Sequence, residues 1–157
     1  MPKTTGQSIF FTAITAFFMV FIMTVYNMVL QMQEFSNSVF LTAFCSMWGE
    51  YIVIFLLAFF VSGKIAKFFA FRVVKPTDRP IFIIFAIQTF TVVVQVFFAS
   101  FLGLLHSHGY NANFIPNYIC TYIQNFVMAL PVQIFIVGPL SRLIFRTIFV
   151  RKSAVTA

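Results

Sequence analysis

Four long apolar stretches and the basic residues beside them constrain this chain more than any other feature. The stretches cover residues 8–31, 39–62, 81–105 and 115–140. Each reaches the roughly 20 residues that a helix needs to cross a hydrocarbon core of about 30 Å. All ten Lys and Arg residues flank these stretches on one side: Lys3, Lys64, Lys67, Arg72, Lys75, Arg79, Arg142, Arg146, Arg151 and Lys152.

The charge distribution predicts the orientation of the four helices in a membrane. The connections at 31–38 and 106–113 contain no Lys or Arg. Basic residues near the ends of spans are retained on the cytoplasmic side. The sequence therefore predicts a multi-pass protein of the bacterial cytoplasmic (inner) membrane, with both termini and the middle connection in the cytoplasm.

Composition agrees with a single membrane domain over residues 1–157. Hydrophobic residues make up 61% of the chain and charged residues 8%, whereas soluble domains carry about 25% charged residues. The net charge of +7 lies beside the spans, which favours anionic lipid of the bilayer as its partner and not nucleic acid. We expect the first apolar stretch to be a retained span and not a cleaved signal peptide.

The two halves of the chain resemble each other. Superposing the second half on the first without a gap aligns Cys45 with Cys120, Glu50 with Asn125, Gly63 with Gly138 and Lys67 with Arg142. We therefore predict a duplication, with repeat one at 8–74, repeat two at 80–150 and a cytoplasmic linker at 72–80. Because each repeat has two spans, both copies enter the membrane in the same orientation, related by an axis along the membrane normal. The predicted fold is an all-α integral membrane protein, in which four transmembrane helices form two parallel-oriented helical-hairpin repeats.

Glu50 is the strongest candidate for a functional residue. It lies about ten residues into the second stretch, near the middle of the membrane at 1.5 Å per residue. An ionised carboxylate costs at least about 3 kcal/mol at that depth, so an intramembrane Glu is a candidate site for proton coupling or cation binding. The alternative is a neutral Glu that hydrogen-bonds an amide on a neighbouring helix.

Polar and aromatic residues at similar depth are the predicted companions of Glu50. Gln88 and Gln95 are seven positions apart and lie on one face of the third span. The sequence predicts a substrate or proton site, with amides and rings lining a small polar cavity. The alternative is that these amides hold helices together, at roughly 0.6–2 kcal/mol for each hydrogen bond. The set is Gln88, Gln95, Gln124, Asn125, Trp48, Tyr51 and Tyr122.

The fourth stretch contains a predicted helix break. Pro131 removes one backbone hydrogen bond, and Gly138 and Pro139 follow about two turns later. A proline inside a helix kinks or breaks it. Broken helices mark the binding sites of many transporters, although proline kinks are also ordinary in membrane helices.

Few residues support catalysis or metal binding. The chain has three acidic residues and two histidines, and it lacks a nucleophile–base pair, a phosphate loop or an HExxH motif. We therefore predict no enzyme activity, no cofactor and no metal site. Cys45 and Cys120 lack metal-binding spacing, and we expect them to be small buried residues. His106 and His108 in an outer connection leave a pH or metal sensor as a weaker option.

The second half contains the segment ALPVQIFIVGPLSR at residues 129–142. It resembles a family of short bacterial two-helix membrane proteins that is known only as a domain of unknown function. Members end their second span with P-x(7)-P-x-x-R, here Pro131, Pro139 and Arg142. In the first half Leu56 and Lys64 replace the prolines, while Asn27 follows the family pattern. The resemblance covers nearly the whole chain as two copies and implies little about activity.

A looser resemblance links the chain to the bacterial L-alanine exporter family, which is similarly short, four-spanning and duplicated. It rests on size and on the pattern of the helix ends. The predicted function is a small transporter or exporter of a small polar or cationic solute, coupled to protons through Glu50, with homodimerisation around the pathway. The alternative is a non-transporting subunit or scaffold that binds a partner protein through its Phe-rich faces.

Overall fold

The computed structural model is built of helices throughout the part that it describes, residues 5–75, 77–108 and 113–153. Two short π-helical segments, π1 and π2, interrupt the α-helices. The elements in chain order are α1 (Thr5–Met32), α2 (Asn37–Ser46), α3 (Trp48–Leu57), π1 (Ala58–Ser62), α4 (Gly63–Val73), α5 (Pro80–His108), α6 (Phe114–Pro131), π2 (Val132–Val137) and α7 (Gly138–Ser153).

Three helices are long and apolar enough to cross a membrane, and a fourth qualifies if one bent pair counts as a single span. These are Thr5–Met32, Pro80–Leu105 and Phe114–Phe149, with the pair Asn37–Ser46 and Trp48–Phe60 as the fourth. They match the four apolar stretches of the sequence. The all-helical fold is therefore confirmed, and its long apolar helices are compatible with a membrane protein.

The second helical unit of repeat one bends at a point that the sequence analysis did not predict. α2 and the helix that begins at Trp48 meet at an angle of 57°. Met47 occupies the bend and is 0% exposed. Its side chain packs with Val20 and Ile54. Ser46 and Gly49 flank the bend, and the hydroxyl of Ser46 donates a hydrogen bond of 3.3 Å to the carbonyl of Ala43; serine and glycine are common at helix kinks.

The π segments fall at equivalent positions of the two repeats. The alignment that pairs Gly63 with Gly138 places π1 on residues 133–137, and π2 spans Val132–Val137. A glycine follows each segment directly, Gly63 in repeat one and Gly138 in repeat two. π turns are rare and occur often at functional sites, so their coincidence shows that the duplication extends to local backbone geometry.

Each repeat contributes one straight helix and one helical unit that changes its packing partner. α2 and α3 pack on α1 of the same repeat, while α4 packs on α5 of the other repeat. In the same way α6 packs on α5, and α7 packs on α1. The change of partner coincides with π1 and π2. The result is a bundle of two helices, α1 and α5, and two longer helical units, α2–α4 and α6–α7, with approximate two-fold symmetry between the repeats.

The core of the bundle lies where π2 crosses between α1 and α5. Met19, Val92 and Val137 belong to one buried cluster, together with Val96, Ala129 and Val132. The outer surface is rich in exposed Phe, Ile and Leu. Cys45 and Cys120 are free thiols on this surface. The expectation that they are buried is wrong, because α2 buries Val39 and Ala43 instead, and α6 buries Asn125 and Ala129.

Candidate functional site

Glu50 lies near the centre of the bundle's length but on its outer surface. The rings of Trp48 and Tyr51 contact Phe17 of α1, at centroid distances of 6.4 and 6.1 Å. Phe17 lies close to the middle of α1, which runs from Thr5 to Met32, so Glu50 is level with the middle of this helix. The Glu50 side chain is exposed and forms no hydrogen bond or ion pair with another described residue.

An apolar groove lies between α3 and α5, and the first α3 residue that lines it, Val53, comes about one turn after Glu50. Val53 and Leu57 follow Glu50 at helical spacing, so they share its face of α3. Both line the groove, which has a volume of about 390 Å³. The groove is open along one side, and only apolar residues line it. The opposite wall belongs to α5: Phe97, Phe98, Phe101 and Leu102.

Asn125, the counterpart of Glu50 in repeat two, is buried. It is 6% exposed, and its Nδ2 donates a hydrogen bond of 3.0 Å to Oγ of Ser100. This bond joins α6 to α5 inside the bundle. The two members of the predicted pair therefore occupy different environments, Glu50 at the surface and Asn125 in an interhelical contact.

A second polar cluster surrounds Gly138 at the end of π2. The amide of Gln88 lies against Gly138, in the place that a β-carbon would take. A β-carbon there would also lie 2.7 Å from the carbonyl oxygen of Gln133. Gln133 and Ser141 are 4% and 0% exposed, and Gln133 Oε1 and Ser141 Oγ have no hydrogen-bond partner among the described residues. Repeat two thus carries buried polar atoms that this fold leaves unpaired.

The remaining predicted site residues are distributed over several faces. Tyr51 donates a hydrogen bond of 3.3 Å from its hydroxyl to the carbonyl of Ala13. Trp48 is 46% exposed and meets Tyr51 edge-on. Tyr122 stacks on Phe126, Gln124 is exposed and Gln95 is half-buried. The predicted companions of Glu50 therefore do not converge on it in this structure.

The predicted break of the fourth stretch is a π segment within a continuous helical path. Pro131 is the last residue of α6, and Gly138 is the first residue of α7. The amide of Gly138 donates to the carbonyl of Gln133, one π turn earlier. The chain remains helical with a wider turn, and Pro139 lies exposed directly after Gly138.

Sequence reasoning missed three features of this region. Ser100 inside the third apolar stretch and Ser141 directly after the fourth are buried polar residues, and their neighbours give no sign of burial. π1 contains no proline, and only the alignment of Gly63 with Gly138 marks it. The side chains of His106 and His108 lie outside the described part of the structure, so the sensor option stays a prediction.

Comparisons with known proteins place the chain in a family. Residues 3–74 and 80–149 each match the family model described as "Domain of unknown function (DUF2798)". The chain is also 30% identical over 149 residues to the uncharacterized protein YybC of Bacillus subtilis (strain 168), an alignment that covers 92% of both chains. No solved structure matches it. The predicted duplication is confirmed, and this chain belongs to the DUF2798 family as two tandem copies of its domain.

Proposed function

We propose that the protein spans the cytoplasmic membrane four times, with both termini inside. The support is the length and apolarity of the helices and the position of all ten basic residues on one side of the apolar stretches. Charged residues are costly in hydrocarbon, and Lys and Arg in particular accumulate at the cytoplasmic ends of spans. The bent pair α2–α3 then forms the second span, which π1 continues toward the cytoplasm.

Reporter fusions test this orientation. Green fluorescent protein fused after Ala157 should fluoresce, because it folds in the cytoplasm. Alkaline phosphatase, which is active only outside, should be inactive after Ala157 and active when inserted between Gln33 and Glu34. Active phosphatase at the C-terminus would contradict the proposed topology.

Within this framework we propose that the protein is a transporter of organic cations, with Glu50 as the residue that binds the positive charge. The main support for this proposal is the position of Glu50. It lies near the middle of the bundle's length, on the same face of α3 as Val53 and Leu57, which line the apolar groove. A carboxylate exposed to lipid costs about 2.5–3.5 kcal/mol on insertion scales. A cation whose apolar part fills the groove removes that cost and adds contacts with aromatic rings.

The exposed position of Glu50 also supports a homodimer. A second copy against α3 and α5 would shield the carboxylate from lipid and close the groove into a pathway. If the Glu50 carboxylate binds either a proton or the cation at one time, transport of the cation is coupled to movement of protons. The looser resemblance to the L-alanine exporter family agrees with export of a small solute, and it stays a prediction.

Glu50→Gln tests the cation site. We expect the purified protein to bind tetraphenylphosphonium and the variant to bind it at least tenfold more weakly, since a tenfold change is about 1.4 kcal/mol. Calorimetry of the protein in detergent measures the binding. In proteoliposomes with a pH gradient, the variant should also stop accumulating an aromatic quaternary ammonium dye.

Glu34→Gln is the matched control for Glu50→Gln. It makes the same chemical change at an exposed residue outside the helices, and it should bind as the parent does. Equal binding by the parent and Glu50→Gln would contradict the proposal, as would no binding by either. The latter result would favour the alternative.

The alternative is a scaffold that receives a helix of a partner protein in the same groove. The observation in its favour is the width of the exposed apolar surface, which includes Phe60, Phe97 and Phe101. A membrane partner that packs on this surface needs shape complementarity and not a charge. In that case Glu50→Gln should leave assembly unchanged, while Phe98→Ala in the groove should weaken it.

A further inference from the structure

The two repeats differ in polarity at three equivalent positions, of which two are buried and one is half-buried in both repeats. Repeat two carries hydrogen-bonding side chains where repeat one carries alanine, and the helix face that bears Gly138 has become polar while the face that bears Gly63 has stayed apolar. The pairs, related by the alignment of the two halves, are Gln88 with Ala13, Gln133 with Ala58, and Ser141 with Ala66.

The polar side chains of repeat two lie on one face of the helix. Gln133 precedes Gly138 by one π turn, and Ser141 follows it by nearly one turn of α-helix, so both project to the side of Gly138. Each is more than nine-tenths buried. An oxygen that is buried without a donor costs free energy, and buried water is the usual way in which proteins satisfy such groups.

Gln88 covers this face. Its amide lies on Gly138, yet its side chain is only half-buried. It lies slightly more than two turns after the start of α5 at Pro80, about 12 Å along the helix. Gln88 is therefore close to the end of the bundle where α5 begins, the cytoplasmic end in the proposed orientation, and its side chain separates Gly138 from its surroundings.

Gln133 marks the other end of the polar face. Its neighbour Val132 belongs to the core cluster that contains Met19 and Val92. Met19 and Val92 lie near the middle of α1 and α5, which span Thr5–Met32 and Pro80–His108. The polar face thus extends from Gln88 to the centre of the bundle. In repeat one, the hydroxyl of Thr24 on α1 is also buried without a partner among the described residues.

We propose that water enters repeat two along this face, from the cytoplasmic side past Gln88 to Ser141 and Gln133, and forms a hydrated half-path that ends at the centre of the membrane. The inference rests on the proposed membrane orientation. It is independent of Glu50, which lies on another surface. Small hydrophilic solutes can follow the same route when Gln88 moves aside.

Cysteine accessibility tests the path. In a background with Cys45→Ala and Cys120→Ala, Ser141→Cys is compared with Ala66→Cys, its counterpart in repeat one, which is also 0% exposed. A charged, water-soluble methanethiosulfonate reagent is added to inside-out membrane vesicles. We expect Ser141→Cys to react at least tenfold faster than Ala66→Cys, and Gln88→Ala to speed its reaction further.

Two further measurements make the test decisive. Arg146→Cys, at an exposed position of α7, shows that the reagent reaches the cytoplasmic face. Ser141→Ala should lower the melting temperature if water holds the hydroxyl, whereas it should raise the melting temperature if the hydroxyl is merely unpaired. Equal rates at residues 141 and 66, or a melting temperature raised by Ser141→Ala, would overturn the proposal. Neither result for Ser141 bears on the cation site, because that site is tested separately by the loss of cation binding in Glu50→Gln.

Discussion

Gly138→Ala should destabilise the fold by about 2 kcal/mol, within the roughly 1–3 kcal/mol typical of overpacking. A β-carbon at this position would lie 2.7 Å from the carbonyl oxygen of Gln133 and would collide with the amide of Gln88. The amide can move, but the carbonyl belongs to π2. The π turn must therefore distort, and that cost exceeds the gain of up to about 1 kcal/mol that alanine brings to a helix.

Thermal unfolding in detergent measures this effect. For a chain of this size a loss of about 2 kcal/mol corresponds to a melting temperature lower by about 4–8 °C. Gly63→Ala is the matched control, because the same change after π1 brings a β-carbon to 3.4 Å from the carbonyl oxygen of Ala58, an ordinary contact. It should leave the melting temperature unchanged or raise it. Equal shifts for the two variants would contradict the unequal packing of the two glycines.

Breaking the bond between Asn125 and Ser100 should have the second largest effect. Asn125→Leu and Ser100→Ala should each cost about 1–3 kcal/mol, since either one leaves a buried polar group without its partner. The bond is 3.0 Å long and buried between α5 and α6. The double variant should cost less than the sum of the two, with a coupling of about 0.6–1.7 kcal/mol, the range measured between transmembrane helices of a membrane protein.

Gln124→Leu is the control for this pair. Gln124 precedes Asn125 on the same helix but is exposed, so its replacement should change the unfolding free energy by less than about 0.5 kcal/mol. A strictly additive double variant would show that Asn125 and Ser100 do not interact. Asn125 would then be a buried amide without a structural role. Because it aligns with Glu50, a functional role for Asn125 would then have to be considered.

The two halves have diverged after the duplication. At one aligned pair, repeat one keeps a carboxylate on the surface and repeat two keeps an amide in the core. At three other pairs, alanine in repeat one corresponds to a polar side chain in repeat two. Both halves retain the π segment and the glycine after it. The shared π segments and glycines lie where the helical units change their packing partners. The residues that differ between the repeats form the proposed cation site and the proposed hydrated path, which lie on separate surfaces of the bundle.

The sequence alone determined the helical fold, the four apolar stretches and the duplication. These follow from local composition, because apolar runs of this length form helices and because aligned Cys, Gly and basic residues record the repeat. Tertiary structure decided the bend at Met47, the exchange of partners at π1 and π2, and the side of each helix that is buried. Glu50 and Asn125 occupy one alignment position, yet packing leaves one exposed and buries the other. In stretches that are apolar on every side, periodicity cannot distinguish the inner face from the outer, so only contacts between helices assign it.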